Sequence, residues 1–125
     1  MKAMMLVFLG GGFGSVLRYL TVVGLARAGI SRDFPLSILA ANLLGSFILG
    51  LLVGMPAVQR GGALWFFAAT GVLGGYTTFS TLSNDSFELL ASGRTGAAML
   101  NLFGSAVLGI VCAALGFQTA RTFCS

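Results

Sequence analysis

The sequence GGYTTFST, residues 74–81, lies near the middle of a long apolar segment and interrupts it. Two glycines are followed there mainly by hydroxyl-bearing side chains, whereas the flanking residues are mostly apolar. Inside a membrane every backbone N–H and C=O group needs a partner, so non-helical backbone persists only where protein buries it or water reaches it. Residues 74–81 are therefore a candidate ion site.

The composition is typical of an integral membrane protein. Of the 125 residues, 57% are hydrophobic and 8% are charged, and the mean hydropathy is +0.98. Soluble domains carry about 25% charged residues. The 19 glycines against 2 prolines favour closely packed helices over the alternating strands of a β-barrel. The seven basic residues occur singly, so no run of charge indicates nucleic acid or an anionic lipid patch.

Four apolar segments predict an all-α fold of four transmembrane helices in a single domain, because a span needs roughly 20 residues. The predicted spans cover about residues 3–28, 35–55, 63–91 and 95–123 of the domain 1–125. In the third, the apolar halves on either side of residues 74–80 are each too short to cross alone. The sequence thus predicts a third helix broken near its middle, as in discontinuous transmembrane helices.

Small residues recur at four-residue intervals in the first two segments, a spacing that lets helices approach closely. The sets with this spacing are Gly10 with Gly14, Gly11 with Ser15, and the stripe Ser46, Gly50 and Gly54. We expect the first segment to use one of its two sets against a neighbouring helix.

Polar residues inside the predicted spans are candidates for an ion pathway. Arg18 costs at least ~2.5 kcal/mol near a span's centre unless it snorkels to the headgroups or lines a water-filled vestibule. Asn42 fits a helix–helix hydrogen bond and a pore lining equally well. Phe79 either packs in a core or turns the positive edge of its ring toward an anion. Asn101 and Ser105 share one helical face at a spacing of four.

The basic residues outside the span centres divide evenly between the two ends of a four-span chain. One end would carry Lys2, Arg60 and Arg121, and the other Arg27, Arg32 and Arg94. Because the positive-inside rule then gives no preferred orientation, the chain should insert both ways. The sequence therefore predicts a dual-topology protein whose copies pair antiparallel.

Catalysis is not indicated. The chain has no histidine, and no base stands near Thr78 or Ser80 to activate a hydroxyl. Asp85 and Glu88 lie toward the end of the third segment, where a solvated interfacial face explains them. The sequence therefore predicts a protein that is not an enzyme.

Three stretches resemble the Fluc family of fluoride channels, also called CrcB. They are GGFGSVLRY at residues 11–19, NLLG at 42–45 and GVLGGYTTFST at 71–81. The likeness extends over nearly the whole chain in length, span number and motif order. It implies antiparallel homodimers of four-span subunits in membrane lipid, with two fluoride pathways and a central structural sodium ion.

The resemblance also implies roles for individual residues. The backbone carbonyls of Gly74 and Thr77 would bind the sodium ion, Asn42 and Phe79 would contact fluoride, and Arg18 would lie at a vestibule. The remaining residues implied for the polar path are Ser83, Asn101 and Ser105.

The chain departs from the family pattern along this proposed path. The departures are Leu82 in place of a second phenylalanine, Ser37-Ile38 in place of a Gly-Thr pair, Gly109 in place of a serine and Asp85 in place of a glutamate. Each removes or shortens a polar or aromatic contact.

The function expected from these features is passive, fluoride-selective export through a channel in the inner, cytoplasmic membrane. One alternative is a weakened subunit that needs a homologous partner chain to supply the polar and aromatic groups that Leu82, Ile38 and Gly109 do not provide. A second is a small multidrug exporter, although such exporters need an acidic residue in the first span and this segment contains none.

Overall fold

The structure is a computed structural model that describes residues 1–30 and 33–124. All regular structure in these ranges is helical. In chain order the helices are α1 (Lys2–Arg27), α2 (Leu36–Gly54), α3 (Trp65–Leu73), α4 (Gly74–Tyr76), α5 (Phe79–Ala91) and α6 (Thr95–Phe123). Among the described residues, α1, α2 and α6 are long and apolar enough to cross a membrane.

Helix α1 packs against α3 and α4 through glycines that let the two backbones touch. A Cβ added at Gly10 would lie 3.0 Å from the Cα of Gly71, and one at Gly14 would lie 3.0 Å from the backbone nitrogen of Tyr76. Both α1 glycines are buried. Of the two sets predicted for this segment, Gly10 with Gly14 therefore forms the main contact. Because Gly10 meets Gly71 and Gly14 meets Tyr76, α1 runs parallel to the segment formed by α3 and α4.

Helix α2 packs against α6 in the same manner, and the predicted stripe on α2 is confirmed. A Cβ at Gly50 would lie 3.0 Å from the Cα of Ala113, and one at Gly54 would lie 2.8 Å from the Cβ of Ala120. Ser46 comes next to Gly109, one turn earlier on both helices. Since the contacts advance together along both chains, α2 and α6 are also parallel.

The third apolar segment consists of short pieces. Helix α3 has wide turns, and at its end the Gly74 N–H donates to the carbonyl of Ala69, five residues back. Helix α4 ends at Tyr76, and Thr77 and Thr78 have extended backbone, with ψ of 155° and 121°. Helix α5 begins at Phe79, with the Thr78 side chain accepting the N–H of Thr81 as an N-cap. We call Thr77–Thr78 the junction.

The basic residues lie at the two ends of the helices. Lys2 begins α1, Arg60 stacks over Trp65 at 5.5 Å before α3, and Arg121 stacks over Phe117 at 5.9 Å near the end of α6. At the opposite end, Arg27 ends α1 and Arg94 donates to the carbonyl of Asp33. Arg32, which also entered the predicted charge balance, lies outside the described residues.

Candidate ion site

The junction is held by polar side chains from two other helices. From α2, Asn42 accepts the Thr78 N–H on Oδ1 at 2.8 Å and donates from Nδ2 to the Thr78 carbonyl at 3.2 Å. From α1, Arg18 donates from Nη1 to the Thr77 carbonyl at 3.3 Å. The extended backbone therefore finds partners inside the protein, as a membrane interior requires.

The break leaves the carbonyls of residues 74–77 without the N–H group that a continuous helix would bring from four residues further on. In a continuous helix the Thr78 N–H would donate to the Gly74 carbonyl, and the Thr81 N–H to the Thr77 carbonyl. Instead, Thr78 donates to Asn42 and Thr81 donates to the Thr78 Oγ1 at 3.3 Å. Gly74 and Thr77, whose carbonyls the family resemblance assigns to a sodium ion, are two of these four residues, and the Thr77 carbonyl accepts from Arg18.

Two further contacts fix the residues around the junction. The Tyr76 hydroxyl lies 3.1 Å from the Thr21 Oγ1, one turn beyond Arg18 on α1. On α2, Gly45 leaves room for the Thr77 Cγ2, because an added Cβ would overlap that methyl group. The Thr77 hydroxyl donates back to the Leu73 carbonyl at 2.9 Å. The methyl group of Thr77 therefore faces α2, while its hydroxyl serves the backbone of α3.

An open groove of about 350 Å³ brings several predicted site residues together. Asn42, Phe79, Gly74 and Thr77 all line it, with Leu82 beside them. The Phe79 side chain is 78% exposed, so within the chain it does not pack in a core. Leu82, which stands where the family has a second aromatic residue, is buried. The groove is therefore lined by an exposed ring and by an amide side chain.

Arg18 lines a second groove, of about 500 Å³, which shares no lining residue with the first. This groove has a charged and polar wall that includes Ser37, Thr81 and Asp85. The half-buried guanidinium thus faces a polar space while it donates to the Thr77 carbonyl. Ile38, one of the departures from the family pattern, is buried at the edge of the same groove.

Of the other predicted path residues, Asn101 on α6 pairs with α5. Asn101 is 1% exposed and donates to the Ser86 Oγ at 2.9 Å, and Ser86 donates to the Leu82 carbonyl at 2.8 Å. The buried Oδ1 of Asn101 and Oγ of Ser105 have no hydrogen-bond partner among the described residues. Asn101 and Ser105 do not line the Asn42 groove.

Ser83 is not brought to that groove either. Its hydroxyl donates to the Phe79 carbonyl at 3.0 Å, one turn back on the same helix. The structure therefore groups Asn42, Phe79, Gly74 and Thr77 around one groove, places Arg18 in another, and sets Ser83, Asn101 and Ser105 apart.

Sequence reasoning missed several residues that the site depends on. Thr78 is an N-cap whose signal, a threonine followed by a helical segment, was readable. Ser86 lies between Leu82 and Leu89 at helical spacing, so its burial was also readable. Gly45 and Thr21 gave no local signal, because their roles come from contacts with distant parts of the chain.

Polar side chains and backbone carbonyls turned away from helical partners are expensive within apolar helices, and they are typical of pathways for ions. Together with the three long apolar helices, this site defines a membrane protein of the ion-transport class. The comparison with known proteins gives the family.

Residues 5–117 match the family described as CrcB-like protein, Camphor Resistance (CrcB). Among curated relatives, a protein of Phocaeicola vulgatus is 40% identical over 117 residues, which is 93% of this chain and 96% of the relative. One of Thermus thermophilus is 43% identical over 119 residues, 94% of each chain. One of Elusimicrobium minutum is 41% identical over 121 residues, 97% of this chain and 95% of the relative.

All three relatives bear the name fluoride-specific ion channel FluC. The chain therefore belongs to the CrcB family, and the resemblance inferred from the sequence is confirmed. The family is one of channels and not of enzymes, as the sequence predicts.

Proposed function

We propose that the protein is a passive channel that exports fluoride across the inner, cytoplasmic membrane. The observation that carries the proposal is the groove that Asn42 and the exposed Phe79 both line. The names of the relatives supply fluoride as the ion.

The groove offers donors that suit an anion. An amide nitrogen has two N–H donors, and the contact with the Thr78 carbonyl uses one of them. The second N–H and the positive edge of the Phe79 ring can replace part of the water around a small anion. In the second groove, the charge of Arg18 raises the local concentration of anions. Fluoride would therefore meet a narrow, partly dry path with few donors.

The proposed sodium site consists of the Gly74 and Thr77 carbonyls. Carbonyl oxygens are suitable ligands for such a cation, and both carbonyls are released from helical pairing by side-chain contacts. Two carbonyls make an incomplete shell, so a second copy of the chain would supply the remaining ligands. Gly74 is exposed, and a Cβ there would meet nothing within 4 Å, which leaves space for that copy.

We further propose that α3, α4 and α5 in series form the remaining span, which is the third in chain order. The subunits would form a dual-topology antiparallel homodimer in membrane lipid. The parallel pairing of α1 with α3, and of α2 with α6, is the arrangement that four alternating spans produce. The even distribution of basic residues between the two ends supports insertion in both orientations.

The two alternatives have less support. The relatives are named as ion channels, which does not favour a multidrug exporter. A partner-dependent subunit would require Leu82, Ile38 and Gly109 to leave the path defective. Leu82 and Ile38 are well packed, and a Cβ at Gly109 would lie at an ordinary 3.6 Å from the Ser46 Oγ.

Fluoride efflux from liposomes tests the function directly. We expect purified protein to release fluoride well above empty vesicles and to release little chloride, both measured with ion-selective electrodes. Equal fluoride and chloride rates would contradict selectivity, and a fluoride rate equal to that of empty vesicles would contradict the channel itself.

A further inference from the structure

The last helical hydrogen bond before the junction shows how α4 ends. The Thr77 N–H donates to the Leu73 carbonyl at 2.9 Å, so the helical pattern is intact up to that residue. The next bond of the series would join the Thr78 N–H to the Gly74 carbonyl. That N–H donates at 2.8 Å to Asn42 Oδ1 instead.

We propose that Asn42 is a positioning residue for the cation site, in addition to its part in the anion groove. By accepting the Thr78 N–H, it keeps that donor off the Gly74 carbonyl and leaves the carbonyl for a cation. The inference rests on the sodium site of the proposed function, and it assigns that site's formation to a side chain on another helix.

The physical reason is that the Thr78 N–H cannot remain without an acceptor. Thr78 is buried, and an unpaired buried donor is costly. If Asn42 lacks its amide oxygen, the acceptor that a helical continuation offers is the Gly74 carbonyl, four residues back. The chain then extends α4 through the junction and occupies the carbonyl that the cation needs.

The same side chain also lines the anion groove, and its amide nitrogen has a second N–H besides the one that donates to the Thr78 carbonyl. Its oxygen therefore acts on the cation site and its nitrogen on the anion path. A substitution that keeps the oxygen but removes the N–H donors should separate the two effects. Asn42→Asp does this with almost no change of shape, whereas Asn42→Ala removes both groups.

The test compares both variants with the wild type and with Asn84→Ala as a matched control. Asn84 is exposed, and its amide nitrogen donates to Glu88 Oε1 at 2.8 Å, away from both grooves. Purified protein in detergent is unfolded by heating at increasing sodium, with potassium replacing it at constant ionic strength. Trp65 fluorescence reports unfolding, and fluoride efflux from liposomes is measured in parallel.

We expect sodium to raise the unfolding temperature of the wild type and of Asn84→Ala. The sodium concentration that gives half of this increase, called the midpoint below, should be the same for both. Asn42→Ala should raise that midpoint on the order of tenfold or more, the equivalent of one lost hydrogen bond. Asn42→Asp should keep the midpoint at or below that of the wild type, because the oxygen is kept and a carboxylate attracts sodium, while its fluoride efflux falls about tenfold or more, because the N–H donors are gone and the carboxylate repels the anion.

Two results would overturn the inference alone. They are an Asn42→Ala midpoint equal to that of the wild type, and a folded Asn42→Asp that has lost its response to sodium. If Asn42→Ala does not fold, Asn42→Asp still decides. A wild type without any sodium response would remove the proposed sodium site together with this inference. Fluoride efflux would report separately on the channel.

Discussion

The α2–α6 interface and the junction both depend on glycine, and in opposite ways. Along α2 and α6, Gly50 and Gly54 let two intact helices meet backbone to backbone. At the junction, Gly45 makes room for a methyl group of Thr77, next to backbone whose helical hydrogen bonds are replaced by bonds to the side chains of Asn42 and Arg18. One region is a rigid frame, and the other is a site where side chains of that frame hold non-helical backbone in place.

The two regions should differ in their tolerance to substitution. At the frame, an added side chain meets backbone, which cannot move without separating the helices. At the junction, it meets the end of a side chain, which a second substitution can shorten. In the open groove, an exposed side chain meets nothing and affects conduction alone.

Gly50→Leu should have the largest effect, because its side chain would enter the Ala113 backbone. We expect the free energy of unfolding to fall by about 3 kcal/mol or more, the upper end of the range for overpacked cores. The measurement is the yield of monodisperse protein by size-exclusion chromatography in detergent. Gly24→Leu is the control, since a Cβ at Gly24 meets nothing within 4 Å. Equal yields for both variants would contradict the claim that the α2–α6 interface tolerates less added volume than the exposed face at Gly24.

Gly45→Ala should act on the junction while the frame stays folded. The added methyl displaces the Thr77 Cγ2, and a strain of about 1–3 kcal/mol at the site corresponds to fluoride efflux slower by about fivefold or more. Thr77→Ser removes Cγ2 and keeps the hydroxyl that donates to Leu73. The double variant Gly45→Ala/Thr77→Ser should therefore recover most of the rate. A double variant as slow as Gly45→Ala would show that this contact is not the cause.

Phe79→Ile should have the smallest effect, confined to conduction. An aromatic contact contributes about 0.5–1.5 kcal/mol, so losing the ring edge should slow fluoride efflux about threefold to tenfold. Thermal stability should stay unchanged, because the side chain is 78% exposed. Phe87→Ile, at an exposed ring outside the groove, is the control and should leave efflux unchanged. A drop in stability with Phe79→Ile would mean that the ring packs against a partner.

Features that depend on local spacing could be predicted from the sequence. The four-residue repeats of Gly10 with Gly14 and of Ser46, Gly50 and Gly54 place small residues on one helical face, whatever that face meets. The polar stretch at residues 74–81 could also be predicted, because its two glycines and its hydroxyl side chains follow one another in the sequence. Which of the two sets on α1 would be used could not be predicted, because the choice depends on α3.

Features that depend on contacts between residues far apart in the sequence could not be predicted. The pairing of Asn42 with Thr78 joins residues 36 positions apart, and that of Arg18 with Thr77 joins residues 59 apart. Asn42 had two equally good interpretations in the sequence, and its amide serves the backbone through both of its polar atoms. The sequence predicted the helical face on which Asn101 lies. Its hydrogen bond to Ser86 could not be predicted, because that contact depends on how the turn between α5 and α6 brings the two helices together.

The unequal lengths of α2 and α6 have a consequence for the surrounding bilayer. With 19 residues, α2 is about 28 Å long, whereas α6, with 29 residues, is about 43 Å long. A hydrocarbon layer of about 30 Å suits the first and requires the second to tilt or to project into the headgroups. Because glycine contacts fix the two helices together, they tilt as one body. Lipid thickness therefore acts on the whole α2–α6 pair, and through Asn42 on the inclination of the junction within the membrane.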